Sequence, residues 1–528
     1  MWLPLWFTYT RNATLASVLA GNYSNIRLWR GGLGKVAAPS HAGNWVAPAG
    51  AAPGSDAGEA LTNQWRHPYD VATVEIRPGE PWLWEFPATC WYTAQYLTDL
   101  LGPAAPPLGL MTVPVGGTLL EEWSAPETQA LCRNVTCMCA GSQGAGCDPY
   151  QPLGANCTGN SALWWGNAQP YVNITLRHFL FYQGENNLQY DAGSGAQGTG
   201  YACLFPALIA AWRAAWATTP GTTSPLAPFG FVELADGTDE AWGLSMAALR
   251  HAATGSYGAV PNAAMPATYR ALAHDAGDQW DADACATPNA CCVPTWAALG
   301  GGCQGDHRGQ YDFWGTHWFQ GQVHPRPKAL VGRRLAQAAY VTAYGGAGLA
   351  SGPVLAGCAL TPAGDALRIA FDARALRGAG IQWRASASAA NETTALYVLR
   401  APAALPPGAG DGHHSARPSD YRGPYANGNE AGVEGWVAVN GVVSGAGELT
   451  VDLAALGGAA PTAVRYAWGT GGWGAPFLTR MCTGPRVDCA LQPCEAEACP
   501  LWAGGLPGVP FLARIEGGRC VCLPPQVC

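Results

Sequence analysis

From residue 1 to about 345, short apolar runs alternate with longer stretches in which apolar positions recur every three or four residues. The runs IRLWR (26–30), LGLMTVPV (108–115), RHFLFYQ (177–183), GFVELA (230–235) and YRALAHD (269–275) predict strands. Helical periodicity marks TCWYTAQYLTDLLG (89–102), FPALIAAWRAAWATT (205–219) and KALVGRRLAQAAYVTAYG (328–345), with Gly102 and Gly345 as natural stops. Such alternation predicts an α/β domain over 1–345, a parallel sheet with helices on both faces in three layers. From about 346 the pattern becomes β-like: ALRIAFDA, IQWRASA, ALYVLRA, GWVAVNGVV, ELTVDLAAL and VRYAWGT are separated by Gly and Pro. This predicts a β-sandwich-like or jelly-roll-like domain over 346–528, with a Pro/Gly loop at 401–433 inside it. One run stands apart: FLFYQGENN (179–187) is apolar until it stops at Tyr182, Gln183, Gly184, Glu185 and two asparagines. An open α/β sheet presents its reaction site at such strand ends, so the segment points to an enzyme.

Composition narrows the classes. The 528 residues carry a net charge of -8, and only 12% are charged against 48% hydrophobic, which fits a soluble globular protein. No basic patch or polybasic stretch invites nucleic acid or an anionic membrane surface, and no stretch is long and apolar enough for a transmembrane helix. Nineteen cysteines suggest disulfides in an oxidising compartment, and N-x-S/T acceptors at Asn12, Asn22, Asn134, Asn156, Asn173 and Asn391 suit the same route. The expected location is secreted, lysosomal or otherwise endomembrane. The WLPLWF run near Met1 lacks a basic region before it and is cut short by Thr8, Thr10, Arg11 and Asn12, so it does not read as a signal peptide. Two cysteine-bearing stretches, about 132–160 and 284–318, look inserted. The second, with His307 and His317 nearby, has the ligand types of a zinc site. Adjacent Cys291 and Cys292 and the lack of paired C-x-x-C spacing favour disulfides there, and neither metal nor cofactor is expected.

A second segment bears chemistry. In GQVHPRPKALVGRRLAQAA, Pro325 and Pro327 keep the backbone out of helix just after His324, so the imidazole sits on a constrained loop suited to a general base. These two segments together resemble a known family. YQGENN is similar to the YQGESN block of sialate O-acetylesterases, and VHPRPK with VGRRLAQAA to their IHPRDK block and its helix, within the wider SGNH-type esterase group. Further similar blocks follow in order: PLGLMTVPVGGTLLEEW (107–123), YACLFPALIAAWRAAW (201–216), PFGFVELA (228–235), YGAVPNAAMPATYRALAHD (257–275) and VRYAWGT (464–470). The family's nucleophile motif, GQSNM, is met only at its final methionine, by Met1. That reading places the serine upstream of Met1, with no evident substitute in Ser17, Ser24 or Ser124, and the chain as given is expected to be inactive.

The resemblance implies an SGNH-hydrolase-like fold and metal-free hydrolysis of an acetyl ester on a sugar hydroxyl. It assigns His324 as the base that takes the serine proton. Many SGNH esterases place an Asp three residues before that histidine; here the position is Gly321. The acid is left open between Glu185, Asp275 and a backbone carbonyl, and Asp275 could equally cap a turn. Gly116 and Gly117 in VPVGGT are the expected oxyanion donors, unless they form a plain strand-to-helix turn. Gln183 and Asn186 could donate to the same oxygen or bind neighbouring backbone. Trp164 and Trp165 are candidates for stacking on a sugar, although most of the 23 tryptophans must be core. An acetylxylan esterase or a carbohydrate-binding protein without catalysis are the alternatives. An O-acetylated carbohydrate is the partner in each enzymatic reading.

Overall fold

The computed structural model describes residues 3–5, 8, 10–31, 64–132, 161–185, 187, 199–235, 246–276, 325, 327–384, 396–402, 436–467, 499–522 and 528. His324, Asn186, nearly all of both cysteine-bearing stretches and most of the 401–433 loop lie outside them. Each predicted strand of the first half is present. β1 (Ile26–Arg30) pairs in parallel with β4 (Leu108–Thr112), in register from Ile26↔Leu108 to Arg30↔Thr112. β2 (Glu75–Arg77) and β3 (Glu80–Pro81) form a small hairpin between them. β5 (Phe179–Phe181), β6 (Phe229–Glu233) and β7 (Thr268–Leu272) form a second parallel sheet in that order. Among the described residues no ladder joins β4 to β5, so the parallel strands stand as two small sheets.

The helices follow their sequence signals. α1 (Arg11–Leu19) and α2 (Pro68–Thr73) flank β1, and α3 (Ala88–Leu101) ends where Gly102 takes φ 60°. A short α4 (Pro126–Leu131) precedes α5 (Thr199–Trp216), which begins six residues before the predicted 205 and contains Pro206. A proline inside a helix removes one backbone bond. Here Tyr201, Leu204, Phe205, Leu208 and Trp212 are all buried, and that apolar face outweighs the loss. α6 (Met246–Ala252) is followed by α7 (Lys328–Ala343). The aromatic core beneath β5 and β6 is dense: Phe179 lies 5.3 Å from Trp216 and 5.7 Å from Phe229, and Phe205 5.2 Å from Phe231, centroid to centroid.

The second half is antiparallel. Its strands are β8 (Leu355–Leu360), β9 (Ala366–Phe371), β10 (Ile381–Trp383), β11 (Leu396–Arg400), β12 (Trp436–Ala438), β13 (Gly441–Gly445), β14 (Glu448–Asp452), β15 (Pro461–Tyr466), β16 (Leu501–Ala503), β17 (Leu506–Pro507), β18 (Phe511–Glu516) and β19 (Arg519–Cys522). Nine of them make one sheet, in the order β12-β11-β15-β18-β19-β8-β9-β14-β13, and β10-β16-β17 make a small second one. The expected sandwich thus becomes one dominant sheet with a minor partner. Leu367, Ile369, Leu449, Val451 and Val464 from the large sheet share a core with Ile381, Leu501 and Ala503 from the small one.

The run GWVAVNGVV, read as one strand, is two. Only Val439 and Asn440 separate β12, at one edge of the large sheet, from β13 at the other. Three peptide steps reach about 11 Å, whereas nine strands laid flat span about 38 Å. The sheet therefore curls until its edges approach each other. Cys358–Cys520 ties β8 to β19, Cys522 bonds Cys528, and Cys132–Cys203 joins the end of α4 to α5.

α7 lies against α3, and Gly332 is the closest point: a Cβ there would sit 2.4 Å from Tyr92 Cβ and 2.9 Å from Thr93 N. Backbone cannot retreat cheaply, so Gly332→Ala should destabilise the protein by about 1–3 kcal/mol in denaturant unfolding. An unchanged midpoint would show that the helices part without cost.

Candidate active site

β5 stops at Phe181, and the polar turn that follows is fixed by its neighbours. Gly184 has φ 141°, and a Cβ would meet Leu249 Cδ2 at 3.0 Å and Leu234 Cδ1 at 3.1 Å, so glycine suits this step. Gln183 commits both amide hydrogens: Nε2 donates to Thr118 O at 2.8 Å and to Asn187 Oδ1 at 2.6 Å. Asn187 Oδ1 also accepts the Leu120 N–H at 3.0 Å, and its Nδ2 donates to Glu121 Oε2 at 3.0 Å. From α5, the Tyr201 hydroxyl reaches Gln183 Oε1 at 3.1 Å. Asn187 and Glu121 are buried, so each bond satisfies a group cut off from water.

Thr118, Leu120 and Glu121 belong to the segment after β4. The network therefore joins the end of β5 to the Gly116–Gly117 turn, two elements that no strand ladder connects. Gly116 and Gly117 are exposed, Gly117 has φ 67°, and a Cβ on Gly116 would face open space. Thr118 is itself held, donating to Val115 O at 3.2 Å and accepting from Trp123 Nε1 at 3.0 Å. On α4, Gln129 Nε2 lies against Glu121 O and 3.1 Å from Ser124 O.

Lys328, four residues after His324 in the sequence, is fully buried. Its ammonium sits 4.7 Å above the Tyr182 ring and 3.4 Å from the Tyr182 hydroxyl. The start of α7 is thus anchored one residue from Gln183. Glu185 is half-buried in the same turn. Burial raises the Tyr182 and Tyr201 phenols well above their ordinary range, and the Glu185 charge adds to it.

Asp275, beyond β7, is wholly buried and held bidentately by Arg334, with Nη1 to Oδ1 at 2.5 Å and Nη2 to Oδ2 at 2.7 Å. Arg334 also donates to Leu272 O at 2.7 Å. Beside it His274 is fully buried, and neither ring nitrogen has a hydrogen-bond partner among the described residues. Burial pushes its imidazole down to about 3, with the nearby Asp275 charge opposing and Arg250, Arg334 and Arg270 adding. His178 bridges the Tyr269 and Tyr344 hydroxyls at 3.3 and 3.2 Å. Trp164 packs on Trp216 in the core, and Trp165 is half-buried beside it.

The structure thus brings Gln183, Glu185, Gly116 and Gly117 into one neighbourhood and sets Asp275 in an ion pair with Arg334. Four participants escaped the sequence reading: Asn187, Glu121, Tyr201 and Lys328. The doubled asparagine of YQGENN and the doubled glutamate of LLEEW, polar pairs beside apolar runs, were the available signals. Among the described residues no group of three or more His, Cys, Asp or Glu could hold a metal ion. No helix among them is long and apolar enough to cross a membrane.

Known proteins bear on this geometry. The chain is 32% identical to the sialate O-acetylesterase of Rattus norvegicus over 220 residues, 36% of this chain and 38% of that one. The Homo sapiens sialate O-acetylesterase is 32% identical over 194 residues, 36% of this chain and 34% of its own length. The chain thus spans little more than a third of the length of the curated relatives it matches. A carbohydrate acetylesterase from Xanthomonas citri shares the fold, with TM-score 0.54 and 20% identity over 97% of this chain and 78% of that one. No model of a known protein family matches the chain. The chain is a distant, partial homologue of sialate O-acetylesterases with a mixed α/β fold like that of a carbohydrate esterase.

Two substitutions probe the buried charges. Arg334→Met strands the Asp275 carboxylate and should cost about 3–5 kcal/mol in urea unfolding. A loss below about 1 kcal/mol would mean that water or another cation replaces it. His274 is depressed below the ordinary histidine value, so the unfolded chain binds a proton that the folded one refuses, and stability is lost as pH falls from about 6.5 towards 3. Relative to His274→Asn, the native protein should lose about 2 kcal/mol between pH 6.5 and 5; parallel unfolding curves would refute the assignment.

Proposed function

We propose that the chain is a carbohydrate O-acetylesterase of the sialate O-acetylesterase type, which hydrolyses acetyl esters on sugar hydroxyls by serine-type chemistry. The observation that carries this reading is the bonded link between the YQGENN strand end and the VGGT turn, through Gln183, Asn187 and Glu121. It holds a glycine turn with exposed backbone beside a polar strand end, as an acyl-transfer site requires. The partial identity to sialate O-acetylesterases and the fold likeness to a carbohydrate acetylesterase support it. The reading includes a three-layer SGNH-like domain over 1–345, a second, β-rich domain over 346–528, and a secreted or endomembrane location.

In this scheme His324 takes the proton from an alcohol nucleophile as its oxygen attacks the acetyl carbonyl, and returns it to the departing sugar oxygen. Water then repeats the cycle on the acyl intermediate and acetate leaves. The backbone amides of Gly116 and Gly117, with Asn186, receive the charge on the carbonyl oxygen. Gln183, with both hydrogens engaged, holds the turn. Of the two acids, Glu185 is preferred for orienting His324, because both Asp275 oxygens are bonded to Arg334. Trp165 is preferred over the core-packed Trp164 as a sugar contact. The nucleophile is assigned to none of the serines of this chain.

The test is acetate release by the 528-residue chain, and by any longer product of its gene, on p-nitrophenyl acetate, acetylated sialic acids and acetylated xylan. The active form should favour the sialic acids, and His324→Ala should lower its rate about a thousandfold or more. Preference for xylan would move the substrate assignment. Sugar binding without acetate release from either form would overturn the enzymatic reading in favour of a carbohydrate-binding role.

A further inference from the structure

Glu121 is a carboxyl group in a place where a carboxylate is costly. Its side chain is 2% exposed. One oxygen, Oε2, accepts the Asn187 amide at 3.0 Å, and Oε1 has no hydrogen-bond partner among the described residues. Among the described residues no arginine, lysine or histidine bears on it. Among the described residues, the titratable groups nearest Glu121 are Glu122 on the same segment and Tyr201 from α5, with Glu185 in the strand-end turn acting on Tyr201; Glu233 and Arg250 line the pocket on the Gln183 and Tyr201 side. Gln129, from α4, meets the backbone of Glu121 with an uncharged amide.

We propose that Glu121 is a positioning residue of the site: its buried carboxyl group holds Asn187, which sets the Gly116–Gly117 turn against the strand end at Gln183 and Glu185. Asn187 is the pivot. Its Oδ1 takes one hydrogen from Gln183 and one from the Leu120 amide, so it can turn towards neither a third partner nor water without releasing one of them. Its Nδ2 points at Glu121, which fixes the amide's orientation. Burial pushes the Glu121 carboxyl up to about 8, with Glu122 adding and the Asn187 bond and its own backbone amide opposing. At neutral pH the group is therefore held protonated, and a rise through that range places an uncompensated charge inside the network. A folded value above the ordinary carboxylate range gives stability that is complete below that range and lost as pH climbs from it to about 8. Ionisation should loosen the link and let the glycine turn drift from the strand end.

This role rests on the esterase reading for its catalytic meaning, but its physical content can be read without any activity. Hydrogen exchange of the peptide spanning 113–123 is measured on the full chain from pH 6 to 9.5, corrected for intrinsic rates, for the native protein, Glu121→Gln and Glu121→Ala. Glu121→Gln keeps the acceptor for Asn187 and cannot ionise. Native protection should fall at least about tenfold between pH 6 and 8 and level off above it, Glu121→Gln should lack that fall, and Glu121→Ala should exchange quickly at every pH. Identical pH dependence in the native protein and Glu121→Gln overturns the proposal. So does full protection in Glu121→Ala. If Glu121→Ala fails to fold, the comparison of the native protein with Glu121→Gln decides alone. In the active form, kcat/KM for p-nitrophenyl acetate should show an alkaline limb near 8 that moves in Glu121→Gln. Absence of acetate release from every form would sink the esterase reading while leaving the exchange result to judge Glu121.

Discussion

Two side-chain amides, those of Asn187 and Gln183, hold together two parts of the molecule that no backbone ladder joins among the described residues. β4 and β5 belong to different sheets, so the turn after one and the strand end of the other have no shared hydrogen-bond register to fix their separation. That separation is set by the buried Asn187 and the half-buried Gln183, where an unmade bond costs about 1–3 kcal/mol. The aromatic packing beneath does the rest. Phe181 meets Phe205 and Trp212, and Trp212 reaches back to Trp123 O at 3.1 Å, so the greasy layer and the polar link constrain the same segments from opposite sides.

The second half of the chain reaches towards this neighbourhood from behind. Arg334, which grips Asp275, also lies 6.0 Å from the Trp502 ring, and Leu272 at the end of β7 shares a small core with Val354 and Val509. The small β10-β16-β17 sheet, through Trp502, and the residues just before β8 and β18 thus meet β7 near its carboxyl end, where Asp275 and His274 are sealed from water. Depressed basicity at His274 and the ion pair at Asp275 are both consequences of that sealing.

Much of the secondary structure was legible in the chain because its signals are local. Period-two runs such as ALRIAF became strands, and Gly102 ended its helix in a positive-φ conformation. Pro206 concealed the first turn of α5, because a proline weakens a local signal that tertiary burial of Tyr201 and Phe205 then overrides. The division of the later strands into sheets of nine and three was not legible, since strand pairing depends on contacts far apart in sequence. The same holds for the site. YQGENN and VPVGGT could be picked out one by one, yet nothing in either says that Gln183 bonds Thr118. The long-range partner also redefines a residue: an isolated Gln183 reads as a free donor, whereas the folded one has no hydrogen left to give.

The bond between Cys132 and Cys203 closes a loop of 71 residues that contains all of β5 and the turn beyond it. Its two anchors stand next to Gln129 on one side and Tyr201 on the other, the outermost supports of the polar link. In the chain-entropy account such a closure disfavours the unfolded ensemble by about 4 kcal/mol. The strand-end half of the site, from Gln183 to Asn187, is therefore built inside a covalent ring, and the Gly116–Glu121 half lies just outside it. A cell compartment that keeps thiols reduced would yield a polypeptide with every side chain of the site but without the hoop that keeps α4 and α5 from drifting apart.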